Sequence, residues 1–303
     1  MQESIYSYMN VGLIHFMVYP GTMKGEGPIL DTIRKICVDD YFNAIEITWI
    51  KDTEVRQKVK KMLDSSHMIV AYGAQPRLLT TGLNINDINE EGRMDALATL
   101  KEGIDEAYEM GAVGFAYLSG NYNDDKKEEA FLALAESTRE LCAYAKSKGN
   151  MKVILEIFDY DVDKKSLIGP AFMAKRLAEL TTREYDNFGL MVDLSHLPLV
   201  RETAIEAILP IKDYLVHAHM GNCVVKDFKL PAYGDAHPRF GFPGGENDVD
   251  ELIEYLRVLK DIGFLNKQKP PIVSFEVKPF GDEDPDIVVA NAKRTLNVAW
   301  GKL

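Results

Sequence analysis

This sequence predicts an α/β protein folded as a single-domain (β/α)8 barrel, on three observations. Short apolar runs of strand type alternate with longer helix-patterned segments eight times over. Several of those runs, such as Gly189-Leu190-Met191-Val192, are apolar without alternation. Strands buried on both faces have that look, as in parallel sheets covered by helices. No linker and no change of composition interrupts the 303 residues, so residues 1–303 form one domain. A doubly wound open sheet is the competing architecture. It usually carries a Gly-rich phosphate fingerprint after its first strand, and no G-x-G-x-x-G follows that strand here.

Taken in order, the first strand is expected over 11–18. Gly21, Gly25 and Gly27 make a loop, and Pro28 opens a helix that runs to about residue 39. Strand two (43–48) leads to a charged helix (53–65), and strand three (68–73) to a polar loop with Gln75, Pro76 and Arg77. The helix Glu90–Met110 places Leu97, Leu100, Ile104, Ala107 and Tyr108 at helical spacing. Strand four (113–118) precedes a helix over 125–148 that Gly149 caps. Strand five (152–158) and a helix (169–181) follow, then strand six (Phe188–Asp193) with a short helix (201–208). Strand seven (214–219) gives way to a stretch, 220–246, that has no helical period and is rich in Gly, Pro and aromatics. A helix (248–262), strand eight (Ile272–Glu276) and a closing helix (284–300) complete the chain.

Composition narrows the function. The chain has 35 basic against 47 acidic residues, a net charge of −12. Nucleic acid and anionic membrane surfaces need a positive face, so neither is expected as a partner. Cations and small carbonyl substrates fit better. Three cysteines, Cys37, Cys142 and Cys223, give an odd number and no C-x-x-C spacing, which points to a reducing, cytoplasmic setting. The apolar run 11–18 lacks a preceding basic residue and a small-residue cleavage site, so it is not a signal peptide.

Four apolar runs end on or near a group able to ligate a metal ion. They are Val153-Ile154-Leu155-Glu156, Gly189-Leu190-Met191-Val192-Asp193, the run through His217-Ala218-His219, and Ile272-Val273-Ser274-Phe275-Glu276. In this type of barrel the C-terminal strand ends carry the active site. Glu156, Asp193, His219 and Glu276 would therefore meet at one side of the mouth. Each taken singly is a strand-end cap or a surface carboxylate. Together, three carboxylates facing a low-dielectric cavity repel one another unless a cation holds them. Three oxygens and one imidazole nitrogen suit Mn2+, with Mg2+ or Co2+ as alternatives. His217 points to the same side as His219 and is expected one layer deeper, hydrogen-bonded behind the ligand. His196, three residues after Asp193, either reaches over the ion toward a substrate oxygen or packs its own loop. Glu46 and Trp49, with Tyr72, Gln75 and Tyr117, are candidates for the opposite wall, and His15 and Tyr19 stand near the end of strand one. Structureless loops longer than ~12–15 residues are usually functional or disordered. The aromatics of 220–246 argue for a lid over the site. Its Lys226, His237 and Arg239 either contact substrate or solvate the rim.

The motifs L-E-I-F-D (Glu156), V-D-L-S-H (Asp193, His196), H-A-H-M-G-N (His219) and S-F-E-V-K-P (Glu276) resemble the xylose isomerase-like TIM barrel superfamily of sugar isomerases and epimerases. The resemblance implies that Glu156, Asp193, His219 and Glu276 bind Mn2+ or a similar ion. It also implies that Glu156 and Glu276 act as acid and base on the sugar carbon, and that His196 contacts the substrate carbonyl region. Two positions depart from the ketose 3-epimerase pattern. Val162 stands where a second glutamate is usual and Val225 where an arginine is usual, with Asp161 and Lys226 one place away. The segment G-N-C-V-V-K-D…H-P-R-F-G-F-P-G-G is similar instead to the catalytic subunits of C-glycoside deglycosidases. Those barrels eliminate an aglycone from 3-oxo-glucosides beside a small β-sandwich subunit. Inosose dehydratases form another lyase branch.

The expectation is thus a metal-dependent enzyme that abstracts a proton next to a sugar carbonyl. The resulting enediolate is then reprotonated, or it expels a β-substituent in a lyase reaction. The substrate is a small sugar or glycoside and the protein an oligomer, with a β-sandwich subunit as a further partner in the deglycosidase case. An endonuclease IV-like phosphodiesterase shares the barrel but needs many histidines and a basic face. Six histidines and a net charge of −12 speak against it. A sugar-binding protein on an inactive barrel is disfavoured by three intact acids and a histidine.

Overall fold

Eight parallel strands close into one barrel in chain order, β1 beside β8. A computed structural model describes residues 3–303. The elements are β1 (Asn10–Ile14), α1 (His15–Val18), α2 (Ile29–Cys37), β2 (Ala44–Ile47), α3 (Thr53–Ser66), β3 (Ile69–Gly73), α4 (Gln75–Leu79), α5 (Glu90–Met110) and β4 (Gly114–Leu118). They continue as α6 (Lys127–Lys148), β5 (Lys152–Glu156), α7 (Ala171–Thr181), β6 (Phe188–Asp193), α8 (His196–Val200), α9 (Ala204–Ile208), β7 (Leu215–Gly221), α10 (Val249–Asp261), β8 (Ile272–Glu276) and α11 (Pro285–Lys302). The single-domain (β/α)8 expectation therefore holds. No helix among the described residues is long and apolar enough to cross a membrane.

Period-2 alternation sorts the strand residues. Leu13, Ile45, Tyr72, Phe115, Leu155 and Phe275 join the large core between sheet and helices. Small residues take the inner face: Ala44 and Ala71 form one inner cluster with Ile272, and Ala116 packs with Ile154 and Met191 in another. Gly12 has no room for a side chain, because a Cβ there would lie 2.3 Å from Ser274 Oγ.

One irregularity matters for the site. The pairing of β6 with β7 shifts register between Leu190 and Met191, so that Leu215 faces Leu190 but His217 faces Met191. Val216 is the extra residue, a β-bulge. Leu215 packs in the outer core, and Val216 packs in the inner cluster with Ile154 and Met191. After the bulge the phase is inverted: Ala218 and Met220 are in the outer core. His217 and His219 consequently point into the barrel. In a regular strand with Val216 kept in phase, alternation from Leu215 would have turned both imidazoles outward. Gly189 accommodates the bulge, since a Cβ there would sit 2.3 Å from Val216 Cγ2.

Three expectations about elements need correction. The first strand stops at Ile14, and His15–Val18 coils into a buried α turn closed by Tyr19 N–H to His15 O at 2.9 Å. A continuous apolar run serves a buried helical turn as well as it serves a strand. The polar loop at Gln75 is the helix α4, with Pro76 in its first turn where a missing N–H costs nothing. The segment after Asp193 is the helix α8, and the next helix starts at Ala204 behind a Thr203–Glu206 capping box.

The long loop after β7 is tied down along its length. Asn222 donates to Arg239 O at 3.0 Å and accepts from Asn247 N at 2.7 Å. Phe240 is fully buried beside Phe275, and an isolated bridge joins Val224 to Gly234.

Candidate metal centre

Glu156, Asp193 and Glu276 are the last residues of β5, β6 and β8, and His219 lies two residues before the end of β7. Each contributes one ligand atom to a buried group within 4.8 Å of one another. His219 Nδ1 is 2.7 Å from Glu276 Oε2, 3.3 Å from Glu156 Oε1 and 3.9 Å from Asp193 Oδ2.

The opposite atoms of the acids and of the imidazole are held by the protein. Gln75 Nε2 donates to Glu156 Oε2 at 2.6 Å, and the Ser195 amide donates to Asp193 Oδ1 at 2.6 Å. His237 Nε2 lies 3.3 Å from Glu276 Oε1, and Glu46 Oε1 lies 3.1 Å from His219 Nε2. The inward atoms, Glu156 Oε1, Asp193 Oδ2, His219 Nδ1 and Glu276 Oε2, have no aligned hydrogen-bond partner. Four converging buried atoms left without partners are costly unless something fills the space between them. The donor set fits a divalent cation.

Electrostatics agree. Burial pushes the Glu276 carboxyl up to about 7, against the pull of His237 and His219. Burial works against the charged form of His219, but Glu46, Glu156 and Glu276 outweigh it and hold the imidazole well above its ordinary value. Asp193 is also penalised by burial, and His196, His237 and His219 still bring it below the usual carboxylate range. Protein charges alone leave Glu276 half-neutral near pH 7.

Beside this group lies a second one. Asp235 Oδ1 is 2.8 Å from His237 Nε2 and 3.0 Å from His196 Nε2, and Lys164 Nζ is 3.1 Å from Asp235 Oδ2. His196 Nδ1 is 2.7 Å from the Ile157 carbonyl and its ring packs on Phe158. Asp235 is held well below the carboxylate range, because His237, Lys164 and His196 overcome its burial. His237, opposed by burial but drawn by Glu276, Asp235 and Asp193, rises to about 9. Its backbone is left-handed, with φ 53°, an unusual conformation for a non-glycine residue and a common one at functional sites.

A cavity of about 230 Å³ opens onto these groups. Its polar lining includes Glu46, Gln75, Glu156, His219, Asp235 and His237, and its apolar lining Ile14, Phe16, Met17, Met23, Leu79 and Phe158. The loop thus delivers Asp235 and His237 to the cavity. Other candidates are placed elsewhere. Lys226 is mostly exposed and pairs with Glu246 at 2.6 Å. Arg239 pairs with Glu283 at 2.8 Å, outside the lining. Trp49 donates to Met23 O at 2.9 Å and stacks near Arg77, also outside the lining. Tyr72 and Tyr117 are core residues, bonded to Arg77 and Thr138. His15 is buried against Thr32, and Tyr19 donates to Asp286. Asp161 pairs with Arg201 at the surface. Sequence reasoning gave no role to Asp235 or Lys164. Asp235 meets His237 two residues away, but its pairing with His196 and Lys164 joins distant parts of the chain, and no spacing rule links them.

A family model described as xylose isomerase-like TIM barrel matches residues 37–293. The chain belongs to the xylose isomerase-like TIM barrel family. No curated protein matches it by sequence. Among solved structures, this xylose isomerase-like barrel is similar to D-psicose 3-epimerase from Clostridium cellulolyticum H10, with 16% identity, coverage of 96% of this chain and 98% of that one, and a TM-score of 0.71. It is similar to the 3-keto-D-glucoside 4-epimerase of E. coli at 15% identity, with 95% and 99% covered and a TM-score of 0.67. The IolI protein with a binding zinc atom gives 17% identity, 97% and 99% covered and a TM-score of 0.73. At these identities the likeness establishes the shared fold.

Proposed function

We propose that this protein is a divalent-metal-dependent sugar isomerase or epimerase that moves a proton beside a sugar carbonyl through an enediolate. The observation that carries the reading is the set of four partnerless inward atoms, from Glu156, Asp193, His219 and Glu276, beside a sugar-sized cavity. Three carboxylates and one imidazole favour Mn2+, with Mg2+ or Co2+ as alternatives. A divalent ion held there supplies Lewis acidity to a carbonyl and its neighbouring hydroxyl, acidifying the C–H bond between them.

The protein's residues supply the proton transfer. Glu276, which lines the cavity beside His219, suits a group that both takes and gives a proton. Glu156, oriented by Gln75, is the second such group. Removal by one carboxylate and return by the other inverts the carbon, which is epimerisation. Asp235 and His237 line the cavity and would meet substrate hydroxyls. His196, expected to touch the carbonyl region, would do so only if Asp235 shifts, since its Nε2 faces that carboxylate.

The apolar lining of the cavity favours a second reading. Phe16, Met17 and Met23 form with Ile14 an apolar cluster separate from the main core. Neither Asp161 nor Lys226 lines the cavity as a substitute for the epimerase residues missing at Val162 and Val225. A glycoside with an apolar aglycone, cleaved by β-elimination, fits such a wall. A small β-rich subunit would then be a partner. The cytoplasm is the proposed setting for either reaction, given three free cysteines.

The test is solvent exchange. Ketoses and 3-oxo-glycosides are incubated with the Mn2+-loaded protein in D2O. Deuterium at the carbon next to the carbonyl supports the first reading, and release of an aglycone with an unsaturated sugar supports the second. No exchange and no elimination across the panel overturns both.

A further inference from the structure

We propose that Glu46 is a positioning residue for the metal centre, fixing the tautomer and ring orientation of His219, rather than a group that touches substrate. The proposal rests on the metal reading above and deepens it.

Glu46 sits on β2, while His217 and His219 come from β7, on another side of the closed barrel. One carboxylate oxygen, Glu46 Oε1, lies 2.7 Å from His217 Nε2 and 3.1 Å from His219 Nε2. The two rings stand nearly perpendicular, at 87°, with centroids 5.2 Å apart. All three side chains are buried. The geometry imposes a proton assignment. A carboxylate only accepts, so each Nε2 must carry the hydrogen it donates. In a neutral imidazole the other nitrogen then presents its lone pair. For His219 that nitrogen is Nδ1, the atom aimed at Glu156, Asp193 and Glu276. Glu46 therefore presents His219 to a cation as a ligand in the correct tautomer. Carboxylate partners of metal-binding imidazoles act in this way generally.

His217 plays a supporting part. It donates to the same oxygen, at 2.7 Å, and so ties the carboxylate to the two imidazoles of β7. The bulge at Val216 is what brings both rings to the inner face together. A carboxylate buried in a barrel of small inner residues, with both donors on one strand, is more elaborate than a wall residue needs.

The test uses the full chain, Glu46→Gln, and Mn2+ or Zn2+ as the probe. An amide presents its NH2 or its oxygen to His219 with similar ease, so the tautomer is no longer fixed. Metal affinity measured by calorimetry should weaken by about 10- to 100-fold in a variant that still unfolds cooperatively. Independently, nitrogen NMR of the Zn2+-loaded wild type should show His219 with its proton on Nε2, which does not depend on the variant folding. Affinity within about threefold of wild type would overturn the proposal, as would a His219 protonated on Nδ1. So would a variant whose KM rises while its metal affinity stays unchanged, since that is the behaviour of a substrate contact. Glu276→Gln separates the two ideas. If it loses metal while Glu46→Gln does not, only the positioning role fails. If neither changes metal binding, the metal reading fails as well.

Discussion

Glu276→Gln should stabilise the metal-free protein while removing its ability to hold a metal. The Glu276 carboxyl is buried, and burial lifts it to about 7 from an ordinary 4.5. A carboxyl raised in the folded state stabilises only while protonated. Its contribution is complete below pH 4.5 and is lost as the pH climbs through 7. The difference of about 2.5 pH units corresponds to about 3 kcal/mol at ~1.36 kcal/mol per unit. A glutamine amide mimics the neutral carboxyl and avoids that loss. In EDTA the variant should therefore be more stable than wild type by about 3 kcal/mol at pH 8 and by less than about 1 kcal/mol at pH 5. With an unfolding entropy of about 2.1 cal/mol/K per residue, 3 kcal/mol is a rise of about 5 °C in the melting temperature. Added Mn2+ should reverse the order. Only wild type binds it, and saturation to about 1,000 times Kd adds about 4 kcal/mol. Differential scanning calorimetry at both pH values, with and without Mn2+, measures all four numbers. A variant less stable than wild type in EDTA at pH 8, or one that gains equally from Mn2+, would show that Glu276 is not an acid kept charged for a cation.

Two further outcomes follow from the neighbouring residues. Asp235→Asn removes the carboxylate between His196, His237 and Lys164. The His237 imidazole is raised to about 9, so its stabilising contribution is present below pH 6.5 and fades as the pH rises through 9. The metal-free variant should lose about 3 kcal/mol at pH 6 and measurably less at pH 9.5, and a pH-independent loss in denaturant titrations would contradict this pairing. Lys226→Ala breaks only a solvent-facing pair with Glu246. Its KM should stay within about twofold and its melting temperature within about 1 °C of wild type, whereas a large KM increase would place the ammonium at the substrate.

The sequence reading succeeded where a signal was local. Strands β6 and β8 fall on the expected residues because each is a short apolar run closed by an acid. The convergence of Glu156, Asp193, His219 and Glu276 followed from their shared place at successive strand ends. The shared inward face of His217 and His219 was expected, but the device that produces it was not. His217 and His219 face inward only because of the bulge at Val216, and a β-bulge in mid-strand leaves no mark in a run of apolar residues. The long loop was recognised from its composition, yet which of its side chains enters the cavity depends on distant contacts. Asp235 is placed by Lys164 and His196, and Lys226 is turned outward by Glu246. The turn His15–Val18 was read as strand because every residue in it is buried, which removes the periodicity that separates helix from strand.

Metal analysis is the most direct check on the centre itself. Wild-type protein equilibrated with Mn2+ and dialysed should retain close to one divalent ion per chain, and Glu156→Gln, Asp193→Asn and Glu276→Gln should each retain far less while remaining folded. Wild-type protein that holds no ion, or variants that hold as much as wild type, would contradict a single cation shared by these side chains.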